Sequence, residues 1–149
     1  MSNSKNENDI KWGNVGELPF YWIEHKAIRE TKETLLFLHG FPDDAKVWSK
    51  QINHFKDNYN ILAPFMWGTY KSYSYKSSHY SLKFLTDIYT DFILEQKLNP
   101  SELTIIGHDM GGPLGCQIAR TLEVKSLILI NSLSLNQFIG RFKDIEQWV

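Results

Sequence analysis

The feature that most constrains the fold of this chain is the stretch Leu103-Thr-Ile-Ile-Gly-His-Asp-Met-Gly-Gly112. Its apolar run stops abruptly at a G-x-D-x-G turn, and a segment with helical spacing follows. A strand that turns sharply into a helix needs glycine around the turn, because a side chain there would collide with neighbouring backbone. Gly107 and Gly111 meet that need, and they leave Asp109 at the tip of the turn.

Short apolar runs alternate with segments of helical spacing along most of the chain. This order is typical of an α/β fold with a mostly parallel sheet flanked by helices, which is the predicted fold class. The helices are expected to begin after capping side chains, the first after Asp43 or Asp44 and the second after Ser81. Strands are predicted at 34–38, 60–63, 103–106 and 124–130, and helices around Val47 to Phe55, Leu82 to Ile93 and 112–122.

The remaining segments complete the predicted organisation. Residues 20–23 have the composition of a short strand that pairs with 11–15 as a hairpin. Residues 64–80 are rich in Gly, Ser, Tyr and Lys, which predicts a long surface loop. We therefore expect a polar tail at 1–10 and a single domain at 11–149.

Charge and composition exclude several kinds of partner. With 16 basic and 17 acidic residues, the net charge of -1 gives no reason to expect nucleic acid or an anionic membrane. No apolar run approaches the roughly 20 residues that span a bilayer, and residues 1–9 lack the apolar core of a secretory signal, so we expect a soluble, cytoplasmic protein. Cys116 is the only cysteine, so neither a disulfide within the chain nor a cysteine-based metal site is indicated, and no organic cofactor is implied.

The position of Asp109 suggests chemistry as well as structure. A helix beginning near Met110 would direct its free N–H groups at the carboxylate and keep it ionised. A second N–H is expected from the breaker His39-Gly-Phe-Pro42, through the backbone of Phe41. Such oxyanion-hole donors each contribute on the order of 3 kcal/mol to a transition state. The alternative is that Asp109 only caps the helix.

These two motifs together resemble those of the α/β-hydrolase superfamily, specifically its aspartate-nucleophile branch of epoxide hydrolases and dehalogenases. The likeness covers about residues 18 to 135. It implies that Asp109 attacks an epoxide or halogen-bearing carbon of a small apolar substrate, giving an alkyl-enzyme ester that a histidine-activated water hydrolyses. Phe41 and Met110 would then form the oxyanion hole. The motif residues with an implied structural role are His39, Gly40, Pro42, Gly107, His108, Gly111 and Gly112.

The chain departs from that family pattern in its histidines. Members of the branch continue into a cap, further strands and a late catalytic histidine, whereas no histidine follows Asp109 here. The resemblance therefore implies an α/β-hydrolase core truncated before the cap and the last strands, which would not turn over substrate alone. Asp144 and Glu146 are interpreted as charges on a helix surface.

Two further departures keep alternatives open. Met110 occupies a position where the branch often has Trp and where serine esterases commonly have Met. The chain could thus be a serine-esterase relative with its nucleophile replaced, or an inactive remnant that binds a small ligand or a partner chain. Phe65, Trp67 and Tyr70 stand where the family usually has Asp, Arg and Gly, which indicates either relaxed constraint or a different packing partner for that loop.

The last predicted strand also carries an expectation about assembly. If the resemblance sets the strand order, Ser126 to Ile130 loses its usual neighbour and leaves an apolar edge open. Open apolar edges pair with other strands. We expect self-association, or a complementing chain, at this edge.

Overall fold

The computed structural model describes residues 10–72 and 76–132. Within those residues the chain forms a six-stranded sheet in the order β1-β2-β4-β3-β5-β6. The strands are β1 Ile10–Val15, β2 Leu18–His25, β3 Thr34–Leu38, β4 Asn60–Pro64, β5 Leu103–His108 and β6 Ser126–Ile130. The helices are α1 Ser49–Phe55, α2 Leu82–Glu95 and α3 Gly111–Leu122, with 3-10 turns at Ala45–Trp48, Ser77–Tyr80 and Pro100–Glu102.

The sheet is mostly parallel, which confirms the predicted fold class. Strands β4, β3, β5 and β6 run parallel, whereas β1 and β2 form an antiparallel hairpin whose second strand pairs antiparallel with β4. The register of β3 and β5 sets Leu38 beside Gly107. The turns that follow these two strands therefore start side by side at the carboxyl edge of the sheet.

Helices cover both faces of the sheet and bury two apolar clusters. Side chains alternate between the faces along a strand, so Leu36 and Leu38 pack with Tyr89 under α2 and α3, whereas Phe37 packs with Ile106 on the side of α1. Burying each such side chain stabilises the fold by about 1.5–3 kcal/mol. This packing fixes the parallel strands, and with them the positions of the turns at the carboxyl edge.

Side-chain caps start two of the helical segments, as the sequence predicted. Asp44 accepts a hydrogen bond from the Lys46 N–H at 2.7 Å, and Ser81 accepts one from the Phe84 N–H at 3.2 Å. The first segment opens as a 3-10 turn before α1. At the other end of the fold, β6 begins later than predicted because the Lys125 N–H bonds to the Pro100 carbonyl instead of joining the strand ladder.

The prediction of a long surface loop at 64–80 is wrong for its first part. Phe65, Met66 and Trp67 are buried directly after β4. The Tyr89 hydroxyl donates to the Phe65 carbonyl and accepts from the Trp67 N–H, both at 3.1 Å. The Tyr70 ring stacks on Phe65 at a centroid distance of 4.3 Å.

The Gly, Ser, Tyr and Lys residues later in this segment lower its average hydrophobicity. Composition alone therefore does not reveal that Phe65, Met66 and Trp67 are buried. The packing partner of Phe65 and Trp67, which replace the family's usual Asp and Arg, is Tyr89 on α2. Burial raises the pKa of Tyr89, so its hydroxyl keeps the proton that it donates to the Phe65 carbonyl.

Several sequence-based expectations fall outside the described residues. These are the polar character of 1–9 and the surface charges Asp144 and Glu146. The first strand begins at Ile10, which pairs with Ile23. Among the helices of the described ranges, none has the length and apolar content needed to cross a bilayer.

Removing the Tyr89 hydroxyl tests how strongly the segment after β4 is held. Tyr89→Phe keeps the ring in the core but leaves the buried Phe65 carbonyl and Trp67 N–H without this partner, so we expect a loss of about 1–3 kcal/mol in the free energy of unfolding. Urea denaturation measures it. Tyr70→Phe is the matched control, because it keeps the stacked ring and should change stability by less than about 0.5 kcal/mol. Equal losses of stability in the two variants would show that the Tyr89 hydroxyl does not hold the segment after β4.

Candidate active site

The 107–112 turn joins β5 to α3 through a left-handed residue. Asp109 has φ +50°, a conformation that non-glycine residues adopt only when neighbouring structure holds them there. A Cβ on Gly107 would lie 2.5 Å from the Gly111 carbonyl oxygen, and a Cβ on Gly111 would overlap the Leu38 carbonyl. Gly107 therefore allows the end of β5 to contact the start of α3, and Gly111 allows that helix start to contact the end of β3.

The backbone of Asp109 is fixed by two donors. Its carbonyl accepts from the Gly112 N–H at 3.0 Å and from the Ser132 hydroxyl at 2.7 Å. A Cβ on Gly112 would overlap this hydroxyl, so glycine at that position makes room for it. Ser132 was not predicted as a site residue. It belongs to no motif, and the sequence shows only that it follows the last predicted strand.

The 39–42 turn lies directly against Asp109. The Phe41 N–H donates to Asp109 Oδ1 at 3.2 Å across 68 positions of sequence. A Cβ on Gly40 would overlap the Asp109 side chain, so this glycine permits the approach. Pro42 follows Phe41 through a cis peptide bond. The structure thus brings together Asp109 and the Phe41 N–H, as the two motifs predicted.

Met110 begins the helix beside Asp109. As the N-cap residue of α3 it is helical, with φ -63°, and its side chain is exposed. Within the described chain, the hydrogen bonds of Asp109 come from Phe41, Gly112 and Ser132. The Met110 N–H, predicted as the second donor, does not bond the carboxylate in this arrangement.

His39 connects the 39–42 turn to the segment after β4. Its ring is fully buried; Nε2 accepts from the Met66 N–H at 2.8 Å, and Nδ1 lies 2.8 Å from the Gly40 carbonyl. A carbonyl can only accept, so Nδ1 carries the proton and donates it. Burial lowers the pKa of His39, so the ring is neutral at neutral pH. Both nitrogens are engaged by backbone.

His108 lies at the end of β5 but contributes to a different contact. Its ring meets the Trp48 ring edge-on, with centroids 6.3 Å apart, on the side of α1. The described residues contain no group of three or more His, Cys, Asp or Glu side chains placed to hold a metal ion. The described site brings together the Asp109 carboxylate, the Phe41 N–H and a buried histidine that braces the 39–42 turn.

Removing the ionisable group at position 39 tests this role of the histidine. Because the folded-state pKa lies below the unfolded value of 6.5, the unfolded chain takes up the proton first, so stability is full above about pH 6.5 and falls as the pH drops below it. His39→Asn should cost about 1–3 kcal/mol near neutral pH and flatten that fall. Urea denaturation near neutral pH and about one unit below 6.5 measures both.

His54→Asn is the control, because His54 lies exposed on α1. It should change stability by less than about 0.5 kcal/mol at both pH values. An unchanged pH dependence in the His39 variant would show that the buried ring is not the titrating group.

Comparison with known proteins places this arrangement in a family. The family model described as alpha/beta hydrolase fold matches residues 33–148. A human protein named Epoxide hydrolase 4 is 32% identical over 124 residues, which are 81% of this chain and 33% of that protein. A Mycoplasma genitalium protein named "Putative esterase/lipase 2" is 28% identical over 120 residues, 78% of this chain and 44% of its own length.

Solved structures give the same result. An epoxide hydrolase from Bacillus megaterium, complexed with its diol product, superposes with a TM-score of 0.73 at 26% identity over 82% of this chain and 42% of its own. The chain thus spans less than half the length of these relatives. With the matched family model, the shared sheet and the two glycine-rich turns, the chain belongs to the α/β-hydrolase family.

Proposed function

We propose that this chain carries the nucleophile of an epoxide-hydrolase-type reaction, with Asp109 forming an alkyl-enzyme ester. The observation that supports this most is the 3.2 Å hydrogen bond from the Phe41 N–H to Asp109 Oδ1. A carboxylate that only caps a helix needs no hydrogen bond from a turn 68 positions away in the sequence. A carboxylate that becomes an ester needs such an N–H donor, because negative charge develops on its oxygen when the ester is hydrolysed. Epoxide hydrolases among the relatives support the reaction type.

The reaction proceeds in two steps. A carboxylate oxygen of Asp109 attacks an epoxide carbon, the carbon–oxygen bond of the ring breaks, and the released alkoxide takes a proton from solvent to leave a hydroxyalkyl ester. Water then adds to the ester carbonyl and the diol departs with the regenerated carboxylate. In that second step negative charge develops on the ester carbonyl oxygen of the Asp109 side chain. The Phe41 N–H already donates to a side-chain oxygen, Oδ1, in the resting protein.

The Met110 N–H is proposed as the second donor in that step. It lies at the start of α3, where free N–H groups and the helix dipole favour negative charge. Its absence from the hydrogen bonds of the resting carboxylate is consistent with a donor that engages the tetrahedral oxyanion, since oxyanion-hole donors are aimed at the position that the oxygen takes in the transition state.

The two histidines of the motifs beside Asp109 are not placed to activate water in the second step. His39 has both nitrogens bonded to backbone, His108 packs against Trp48, and no histidine follows Asp109 in the sequence. General-base activation contributes about 10²–10⁴-fold, so its loss slows ester hydrolysis by that factor. We propose that this chain by itself forms the ester once and releases the product slowly.

The surroundings of Asp109 favour an apolar substrate. Phe41 is 77% exposed and Met110 40% exposed, so two large apolar side chains flank the carboxylate in solvent. A small apolar epoxide would bury both of them against its substituent. An organohalogen is a second substrate class by the same geometry, since halide departure replaces the opening of the ring.

A serine-esterase ancestry is the second candidate, and the Mycoplasma genitalium relative favours it. In that case Asp109 replaced a serine, and the site around Asp109 binds a small ligand without chemistry. The two candidates differ in one observable, because only a nucleophilic carboxylate gives a covalent adduct with an epoxide.

Trapping the ester tests the proposal. Incubation with styrene oxide should increase the intact mass by one equivalent of the epoxide, and peptide mapping should place the adduct on Asp109. Asp109→Asn should abolish the adduct. Asp43→Asn is the control, because it removes an exposed carboxylate directly after the 39–42 turn, and this variant should be labelled like the unmodified chain.

The outcomes separate the candidates. Labelling of the Asp109→Asn variant, or no labelling of the unmodified chain, would reject Asp109 as nucleophile and favour the ligand-binding candidate. Many turnovers of styrene oxide by the pure chain would show that another group activates water, contrary to the slow release proposed here.

A further inference from the structure

Two turns at the carboxyl edge of the sheet contact the 107–112 turn, one from each side. Strands β3 and β6 flank β5, and parallel pairing places Ile130 at the end of β6 beside His108 at the end of β5. Asn131 then has φ +45°, a left-handed conformation that asparagine adopts more readily than most residues. The hydroxyl of the next residue, Ser132, donates to the Asp109 carbonyl at 2.7 Å. The chain that leaves β6 is thus bonded to the backbone of Asp109.

Glycine at position 112 permits this hydrogen bond. A Cβ there would overlap Ser132 Oγ, so any other residue would displace the hydroxyl. The Gly112 N–H itself donates to the same carbonyl at 3.0 Å, from the start of α3. The Asp109 carbonyl therefore accepts one hydrogen bond from its own helix and one from the turn after β6, which use both of its lone pairs.

The direction of this carbonyl also sets the direction of the Met110 N–H. Both groups belong to the peptide unit between Asp109 and Met110, which is planar and trans, so they point in opposite directions. The Gly112 bond draws the carbonyl along α3, and the Met110 N–H therefore points out of the helix start. Hydrogen bonds accepted by the carbonyl also polarise the unit, which makes its N–H a stronger donor.

We propose that Ser132 is a positioning residue that holds the Met110 N–H in its direction through the Asp109–Met110 peptide unit. This role rests on the function proposed above, in which that N–H stabilises the oxyanion of ester hydrolysis. Asp109 is left-handed at φ +50°, which a non-glycine residue keeps only where neighbouring structure holds it. The Ser132 hydroxyl supplies such a hold from outside the helix. Without the hydroxyl, the peptide unit is fixed from one side only, and its N–H deviates more from the direction of the oxyanion.

The two steps of the reaction differ in their need for this residue. Ester formation requires a carboxylate oxygen of Asp109 to attack carbon, and no oxyanion forms on the side chain in that step. Ester hydrolysis passes through the tetrahedral oxyanion, where a misdirected donor loses transition-state stabilisation. A residue that acts through the Met110 N–H therefore affects ester hydrolysis selectively, whereas a residue that only stabilises the fold affects both steps or neither.

Removing the hydroxyl tests this selectivity. In Ser132→Ala, the styrene oxide adduct should form at the rate of the unmodified chain. Hydrolysis of the adduct after removal of free epoxide should be about 3- to 10-fold slower, since one hydrogen bond is lost while the Met110 donor itself remains. Intact-mass measurements over time give both rates. Ser132→Thr retains a hydroxyl on the same carbon and should restore the rate of hydrolysis. Ser126→Ala is the matched control, because Ser126 is exposed at the start of β6.

A spectroscopic measurement tests the positioning without any chemistry. The amide nitrogen of Met110 lies in the peptide unit whose carbonyl loses a hydrogen bond in Ser132→Ala, so its ¹⁵N signal should move upfield as the unit becomes less polarised. Ser132→Thr should return the signal toward its original position, and Ser126→Ala should leave it unchanged. A cooperative urea transition in each variant shows that the variant is folded.

The results separate this role from the function on which it rests. If the unmodified chain forms no adduct, the proposed nucleophile is wrong, and the Met110 signal alone decides whether Ser132 directs the peptide unit. Equal slowing of ester formation and hydrolysis in Ser132→Ala, or an unchanged rate of hydrolysis, would overturn the positioning role while leaving Asp109 as the nucleophile. A Met110 signal that does not move in Ser132→Ala would overturn the role in every case. Slow hydrolysis in Ser132→Thr would assign the effect to side-chain fit instead of the hydroxyl and overturn it as well.

Discussion

The contact between two turns is the constraint on which the rest of the site depends. Parallel pairing of β3 and β5 sets Leu38 beside Gly107, so the turns after these strands start next to each other. Gly40 then allows the side chain of Asp109 to lie against the first turn, and the Phe41 N–H reaches its carboxylate. A side chain at position 40 would separate the two turns and remove this hydrogen bond.

A third turn supports the first two. Strand β4 lies on the other side of β3, and the buried segment after it donates the Met66 N–H to His39. Tyr89 holds the residues on either side of Met66 from α2. The direction of the Phe41 N–H is thus set by a chain of contacts from α2 through the segment after β4 to His39. This arrangement positions the Phe41 N–H in the resting protein, as electrostatic preorganisation would require of the oxyanion-hole donor proposed above.

The parts of this arrangement with local signals could be predicted from sequence. Apolar runs ended by breakers gave the strands, and glycine spacing gave the turn at Asp109, because a tight turn imposes residue types at fixed positions. The burial of Phe65 to Trp67 and the Ser132 hydroxyl bond could not be predicted. Both depend on partners distant in sequence, and residues 64–80 have the composition of an exposed loop.

The whole site depends on the hydrogen bond that the Asp109 carboxylate accepts from the Phe41 N–H in the resting protein. The most direct test is the amide signal of Phe41 in a ¹H–¹⁵N spectrum recorded across acidic to neutral pH. The amide proton should move upfield as the carboxylate is protonated, and Asp109→Asn should remove that dependence. A Phe41 signal that is unaffected by pH and by Asp109→Asn would show that the two groups are not hydrogen-bonded.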